Sequence, residues 1–437
     1  MNSISTKIPD QPVASHEQAD VSTAADKRAV VAAVIGNWLE FFDFTVFAFF
    51  AVTIGKLYFP TDNETTSLLL ALSTFAVGFI TRPLGGLVLS TFADRRGRKA
   101  ALTVTIMMMA FSTLAIAATP TYAQIGIAAP IILLIARMTQ GFSQGGEFGA
   151  ATSTLIERGS SLNRGFRGSW QLASQGAATV LGAGTAALLT NLLSPENMNA
   201  WGWRIPFLIG FLIAPVGLYL RNNLPDEGHT TSERGVLAEL FSEHKRSLAL
   251  ITMMVVGGTV SVYVLSFYLS TYAIHNLGLP QKTALWISVT SGLTLLIFAP
   301  VWGAWSDRLG RRRLPMIIGK LMLIALLYPA FWLFNAYPTL YVILPLAALL
   351  GVFYAMGSSP QYSLMCESFP KRIRATAISI AYTFAVTVFG GSSQAIVTWL
   401  TLATGNNLAP AWYMSGCLCV SLFALFKLKE TGGKMLD

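Results

Sequence analysis

The chain has 437 residues, of which 53% are hydrophobic and only 12% charged, with a formal net charge of +9. An ordinary soluble domain carries about a quarter charged residues, so this composition excludes one and points to a membrane protein. The positive charge does not imply nucleic acid, because 24 of the 30 Lys and Arg fall in alternate loops and the tails, which is a topological pattern.

Residues 1–28 read as a polar tail, and the first 26 lack the apolar core of a signal peptide, so the first apolar segment is predicted to be an uncleaved helix. Twelve segments then follow that can cross roughly 30 Å of hydrocarbon. They are 29–57, 66–92, 100–118, 127–155, 167–192, 203–221, 247–277, 283–305, 314–335, 339–364, 374–401 and 410–427. Residues 223–246, the longest internal polar stretch, are predicted to link two bundles at 29–222 and 247–428, and 429–437 form a final tail. The predicted fold is an all-α membrane protein with twelve transmembrane helices in two pseudo-symmetric six-helix bundles. Positive charge marks the inner side of a membrane, which predicts that both termini and the basic hairpins are cytoplasmic.

Two landmarks repeat along the chain. Ser90-Thr-Phe-Ala-Asp-Arg-Arg-Gly-Arg-Lys99 recurs as Gly303-Ala-Trp-Ser-Asp-Arg-Leu-Gly-Arg-Arg312, and Glu157 with Arg164 recurs as Glu367 with Arg374. A shared offset across half the chain marks an internal duplication. The hairpin residues Asp94, Arg95, Arg98, Asp307, Arg308 and Arg311, with Glu157, Arg164, Glu367 and Arg374, are expected to form a gate: the aspartates cap helix N-termini and pair with arginines while the halves are closed. A plain topology anchor is the competing reading.

Ionisable groups deep in a membrane are costly, and each is therefore a functional candidate. The first span offers Asn37, Glu40 and Asp43, whose spacing of three places them on one flank of a helix, within about 120° of arc. Two such carboxylates facing a cavity can share or exchange a proton, and Glu147 in the fourth span is a third candidate; a static ion pair is the alternative. Arg82 and Arg137 lie within spans two and four and, with Gln140, Gln171 and Gln175, suggest a site for an anionic substrate. Arg137 has a competing role as the fixed partner of Asp43 or Glu40. Lys320 is expected to snorkel to the inner face, and His275 to sit at the outer interface. The second half supplies neutral groups for the opposite wall: Tyr263, Tyr268, Tyr354, Tyr362, Tyr382 and Gln394. Cys366, Cys417 and Cys419 imply neither disulfide nor metal, and no cofactor is expected beyond a proton gradient as the energy source.

These residues resemble a known family. The paired hairpins are similar to the signature of the major facilitator superfamily, over residues 28–428. Asn37-Trp-Leu-Glu-Phe-Phe-Asp43, Thr81-Arg-Pro-Leu-Gly85, Gln140-Gly-Phe-Ser-Gln-Gly-Gly-Glu147 and Trp201-Gly-Trp-Arg-Ile-Pro-Phe207 resemble bacterial metabolite–proton symporters. Phe166-Arg-Gly-Ser-Trp-Gln-Leu-Ala-Ser-Gln175 and Val388-Phe-Gly-Gly391 look most like citrate and tricarballylate symporters. The resemblance implies alternating access in a bacterial inner membrane, with Glu40 and Asp43 as the matching carboxylates and Arg82 and Arg137 as the buried arginines. Ser90 departs from the leading glycine that Gly303 keeps, and Gln394 stands where relatives often carry proline.

The leading expectation is a monomeric, proton-coupled importer of a small organic acid, with lipid and solute as its partners and no nucleic acid. Importing each negative charge against 100 mV costs about 2.3 kcal/mol, which co-transported protons offset. The alternatives are a zwitterionic-osmolyte symporter, whose relatives often carry a longer tail, and a transporter-like sensor. An enzyme is not expected, because no nucleophile–base pair, metal spacing or nucleotide loop is present.

Overall fold

The computed structural model describes residues 24–96, 98–145, 147–157, 162–222 and 236–433. Twelve helical rods run through it, one for each predicted span. In the first half these are Ala24–Phe49 continued by Ala51–Tyr58, Glu64–Ile80 continued by Arg82–Arg96, Arg98–Ala118, Ala128–Gln144 continued by Glu147–Glu157, Arg164–Leu192 and Ile205–Asn222. In the second half they are Lys245–His275, Gln281–Leu309, Arg313–Ala336, Leu340–Glu367, Arg374–Thr404 and Ala409–Lys427. The protein is a multi-pass membrane protein. Among the described residues, eight rods meet the length and apolarity of an unbroken crossing, and the first joins them across a 61° bend. The others are interrupted or short: Gly145 breaks the fourth, and the apolar stretches of the third and sixth are Thr103–Ala118 and Gly202–Leu212.

Of the expected linker, residues 223–235 lie outside the described residues. Val236–Glu243 forms a short helix that buries Leu240 and pairs Glu239 with Arg372 at 3.0 Å. The seventh span therefore begins at Lys245, before the polar stretch ends in sequence.

The spans approach closely where side chains are missing, as small residues allow in membranes. Spans 5 and 8, from opposite halves, touch through reciprocal glycines. A Cβ on Gly176 would stand 2.6 Å from the Gly292 carbonyl oxygen, and one on Gly303 would stand 2.5 Å from that of Gly165. Span 2 meets span 11 where Gly391 lies against the Phe79 ring and the Thr387 hydroxyl donates to the Phe79 carbonyl at 3.0 Å. Two spans carry a π-helical turn, Tyr263–Tyr268 in span 7 and Val386–Gly390 in span 11. Such turns widen the helix locally and release a backbone bond. Here both face the first half, Tyr263 against Phe75 and Phe79 and Thr387 on the Phe79 carbonyl.

Candidate functional site

The first span sets the site. Its aromatic residues Phe41, Phe42, Phe44 and Phe47 are buried, which fixes the helix rotation and holds Asn37, Glu40 and Asp43 inside at 5%, 8% and 4% exposure. Asn37 pins the span to span 5, donating from Nδ2 to the Gln171 carbonyl at 3.0 Å and to the Ser174 hydroxyl at 2.6 Å. Buried polar groups are paired in this way because an unmade hydrogen bond costs free energy in an apolar interior.

Glu40 and Arg82 form an ion pair at 3.4 Å, and Arg82 also donates from Nη2 to Gln144 Oε1 at 2.6 Å. The guanidinium lies 4.4 Å from the centroid of the Phe79 ring and 4.9 Å from that of Phe44. Asp43 takes a different partner. The Thr113 hydroxyl donates to its Oδ2 at 2.6 Å, Gln140 Nε2 donates to that hydroxyl at 2.9 Å, and Arg137 Nη1 donates to Gln140 Oε1 at 2.8 Å. Arg137 is therefore not the direct partner of either carboxylate; Gln140 and Thr113 stand between it and Asp43. Its Nε and Nη2 have no hydrogen-bond partner among the described residues. Three rings surround it instead, Phe47, Phe44 and Phe75, with centroids 4.3, 4.9 and 5.0 Å away. An arginine so enclosed keeps donors free for an anion.

The second half closes this cluster with phenols. Tyr263, on the π-turn of span 7, packs edge-on against Phe79 at 5.5 Å and Phe75 at 6.1 Å, and its hydroxyl has no partner among the described residues. Tyr382 stacks face to face on Phe148, with centroids 3.4 Å apart, and lies within electrostatic reach of Arg82, Glu40, Tyr263 and Tyr362. Gln175 Nε2 reaches the Tyr362 hydroxyl across the halves at 3.4 Å. Gln171 donates to Thr152 at 2.6 Å; among the described residues its Oε1 and both amide atoms of buried Gln394 have no partner.

Two expectations need correcting. Tyr268 does not join the central wall: its hydroxyl accepts from Thr398 at 2.8 Å, and it lines a cavity of about 240 Å³ near the end opposite the hairpins. Lys320 does not snorkel. It is 1% exposed, with no partner for Nζ among the described residues, and is wedged against Gly357 of span 10. The side chain of Glu147 lies outside the described residues, as do those of Asp94, Arg95 and Arg98.

At the hairpin end, Asp307 crosses between the halves and caps span 5, accepting from the backbone amides of Gly165 at 2.8 Å and Phe166 at 2.7 Å. Arg312 binds Asp307 at 2.6 Å and Glu367 at 3.1 Å, Arg164 approaches Glu367 at 3.8 Å, and Arg374 binds Glu157 at 2.6 Å. Arg308 and Arg311 are exposed, and among the described residues neither side chain joins this network. Arg164 and Arg374 were expected here, but Arg312 was passed over for Arg308 and Arg311, because four arginines within six residues give no inward or outward sense. Gly310, at φ +60°, makes the left-handed turn that sends Arg311 out and Arg312 in. Glu430 was also missed: it accepts from the Arg312 and Arg313 backbone amides at 2.6 and 3.1 Å and so caps span 9. The opposite end closes with neutral contacts. Thr65 and His275 meet at 3.0 Å, and the Thr271 hydroxyl donates to the Ala48 carbonyl at 3.4 Å.

Comparison with known proteins agrees with this architecture. Residues 33–293 match the Major Facilitator Superfamily, and residues 222–437 match the family described as sugar (and other) transporters. The chain is 35% identical over 429 residues to the proline/betaine transporter of Salmonella typhimurium, covering 94% of this chain and 85% of that one. It is 34% identical over 419 residues to the citrate-proton symporter of Salmonella typhi, covering 94% and 95%. Among solved structures, the xylose transporter XylE from E. coli, in a partially occluded inward-open conformation, superposes with a TM-score of 0.74 at 18% identity, covering 95% of this chain and all of that one. These relatives are transporters and not enzymes, as the sequence reading expects here. The chain belongs to the major facilitator superfamily.

Proposed function

We propose that the protein is a proton symporter for a small zwitterion of the betaine or proline class, working by alternating access. The observation that carries this reading is Arg137, a buried guanidinium that, among the described residues, no carboxylate touches and whose Nε and Nη2 have no partner, with a wall of tyrosines opposite. One free guanidinium suits one carboxylate, and phenol faces suit an alkylated ammonium. A tricarboxylate would require more positive charge than this site holds, since Arg82 is already matched by Glu40 at 3.4 Å. The proline/betaine relatives support the same choice. Proton coupling fits the energetics: a zwitterion carries no net charge, so each co-transported proton adds about 2.3 kcal/mol of inward drive per 100 mV.

In this reading Asp43 carries the proton and Glu40 with Arg82 forms the neighbouring ion pair. The basic hairpins and both termini face the cytoplasm of a bacterial inner membrane, because positive charge is retained on that side. The expected organic-acid substrate becomes the second reading, favoured by the citrate-proton symporter relative that this chain covers over 95% of its length.

The test uses purified protein in liposomes carrying a pH dye, with glycine betaine, proline, citrate and tricarballylate added in turn. Interior acidification with betaine or proline alone is the expected result. Acidification with citrate alone would replace the zwitterion reading by the tricarboxylate one.

A further inference from the structure

Both first-span carboxylates also face a second space. A cavity of about 40 Å³ touches Glu40 and Asp43, and all of its lining comes from spans 1, 3, 4 and 6, so it lies wholly within the first half. The second half, and hence the seam through which substrate passes, contributes nothing to it. Its polar lining is Glu40, Asp43, Thr105, Ser143 and Gln144. A buried water needs about 10–15 Å³ and two to four polar partners, so the space suits a short file of about two or three waters.

Asp43 is aimed into it. Its Oδ2 is held by Thr113, while Oδ1 has no hydrogen-bond partner among the described residues and faces Gly210, where a Cβ would stand 2.5 Å away. The cavity also has a direction. Gly36 on its wall lies two helical turns before Asp43, and Thr105 lies one turn before Met109. Both steps lead toward the hairpin end, where spans 1 and 3 begin.

We propose that this cavity is a hydrated proton route inside the first half, joining Asp43 to the hairpin end separately from the path of the substrate. The inference rests on the proton-symport reading above. In the release step the O–H bond at Asp43 Oδ1 breaks and its electron pair stays on the carboxylate. The proton passes to a cavity water, which gives up one of its own toward solvent at the hairpin end. Glu40, a carboxylate on the same wall, offsets the passing positive charge and is kept in place by Arg82. Arg137 stands behind Thr113 and Gln140, on the far side of Asp43 from the cavity.

The route can be plugged without touching the substrate wall. Ala110→Leu places a branched side chain in the cavity from span 3, and Ala110→Ser serves as a volume control. Two rates are compared in liposomes, using whichever of radiolabelled betaine and citrate acidifies wild-type vesicles. One is substrate-driven acidification, which needs proton release. The other is exchange of label with substrate saturating on both sides, which needs only substrate movement and also reports folding. Ala110→Leu is expected to slow acidification at least tenfold while exchange stays within twofold of wild type. Unchanged acidification, or acidification and exchange falling together, would overturn the proposal. Thr105→Leu at the mouth of the same cavity gives the same reading if Ala110→Leu fails to insert. A wild type that never acidifies would instead remove the symport reading, and this inference with it.

Discussion

Arg137 is where a single side chain decides most. A charge-assisted hydrogen bond is worth about 1.5–3 kcal/mol, so Arg137→Gln should weaken substrate binding by roughly 10- to 100-fold, measured with labelled ligand on purified protein. Arg137→Lys keeps the charge without the planar fork and should recover only part of the loss. At Asp43 the conservative change is Asn, which retains an acceptor for Thr113 and cannot carry the proton. Asp43→Asn should reduce the accumulation ratio to about one while exchange persists; accumulation at the wild-type level would remove Asp43 from coupling. The carboxylate flank and both arginines were legible in the sequence because charge inside an apolar run is conspicuous. The route from Arg137 to Asp43 was not, because a hydroxyl such as Thr113 reads as filler until the helices are packed. Arg312 was hidden by three neighbouring arginines, and only the turn at Gly310 distinguishes it.

Helices in this molecule meet through absent side chains. Not every glycine marks such a contact: a Cβ on Gly184 would meet nothing within 4 Å. The tight seam is made by Gly165, Gly176, Gly292 and Gly303, which lie far apart in the chain and become a pair only when spans 5 and 8 cross. Gly292→Leu would set a Cβ 2.8 Å from the Gly176 carbonyl oxygen, a backbone clash that no rotamer relieves. Overpacking of this kind costs about 1–3 kcal/mol, so the detergent-solubilised variant should melt at a lower temperature and transport slowly. Gly184→Ala is the matching control and should be neutral or slightly stabilising, by up to about 1 kcal/mol. The twelve spans were read within a few residues from hydropathy alone. The 61° bend after Phe49 and the π-turn at Tyr263 were not, since neither contains a proline or another local cause visible in the sequence.

The whole molecule is closed at both ends by unlike means, ion pairs at the hairpin end and neutral contacts at the other. The repeat offset revealed two related halves and placed the hairpins at one end, but closure at both ends together is a property of packing that no single segment carries. Arg312 bridges Asp307 and Glu367 with side chains only 2–6% exposed. Removing one partner of such a buried set costs about 3–5 kcal/mol. Arg312→Gln should therefore shift the population toward the state open at the hairpin end, read as faster labelling of a single cysteine placed beside Gly165. Labelling equal to that of the unmutated gate would argue against a switching role.

The cap that Glu430 places on span 9, together with the Thr431 hydroxyl on Glu367 at 2.6 Å, has a practical consequence. The carboxyl-terminal segment is wired into the lock, so a purification tag or fluorescent fusion set directly behind it pulls on Arg312. A carrier labelled there would report a cycle biased toward opening, and the same tag on the amino-terminal side would leave that contact undisturbed.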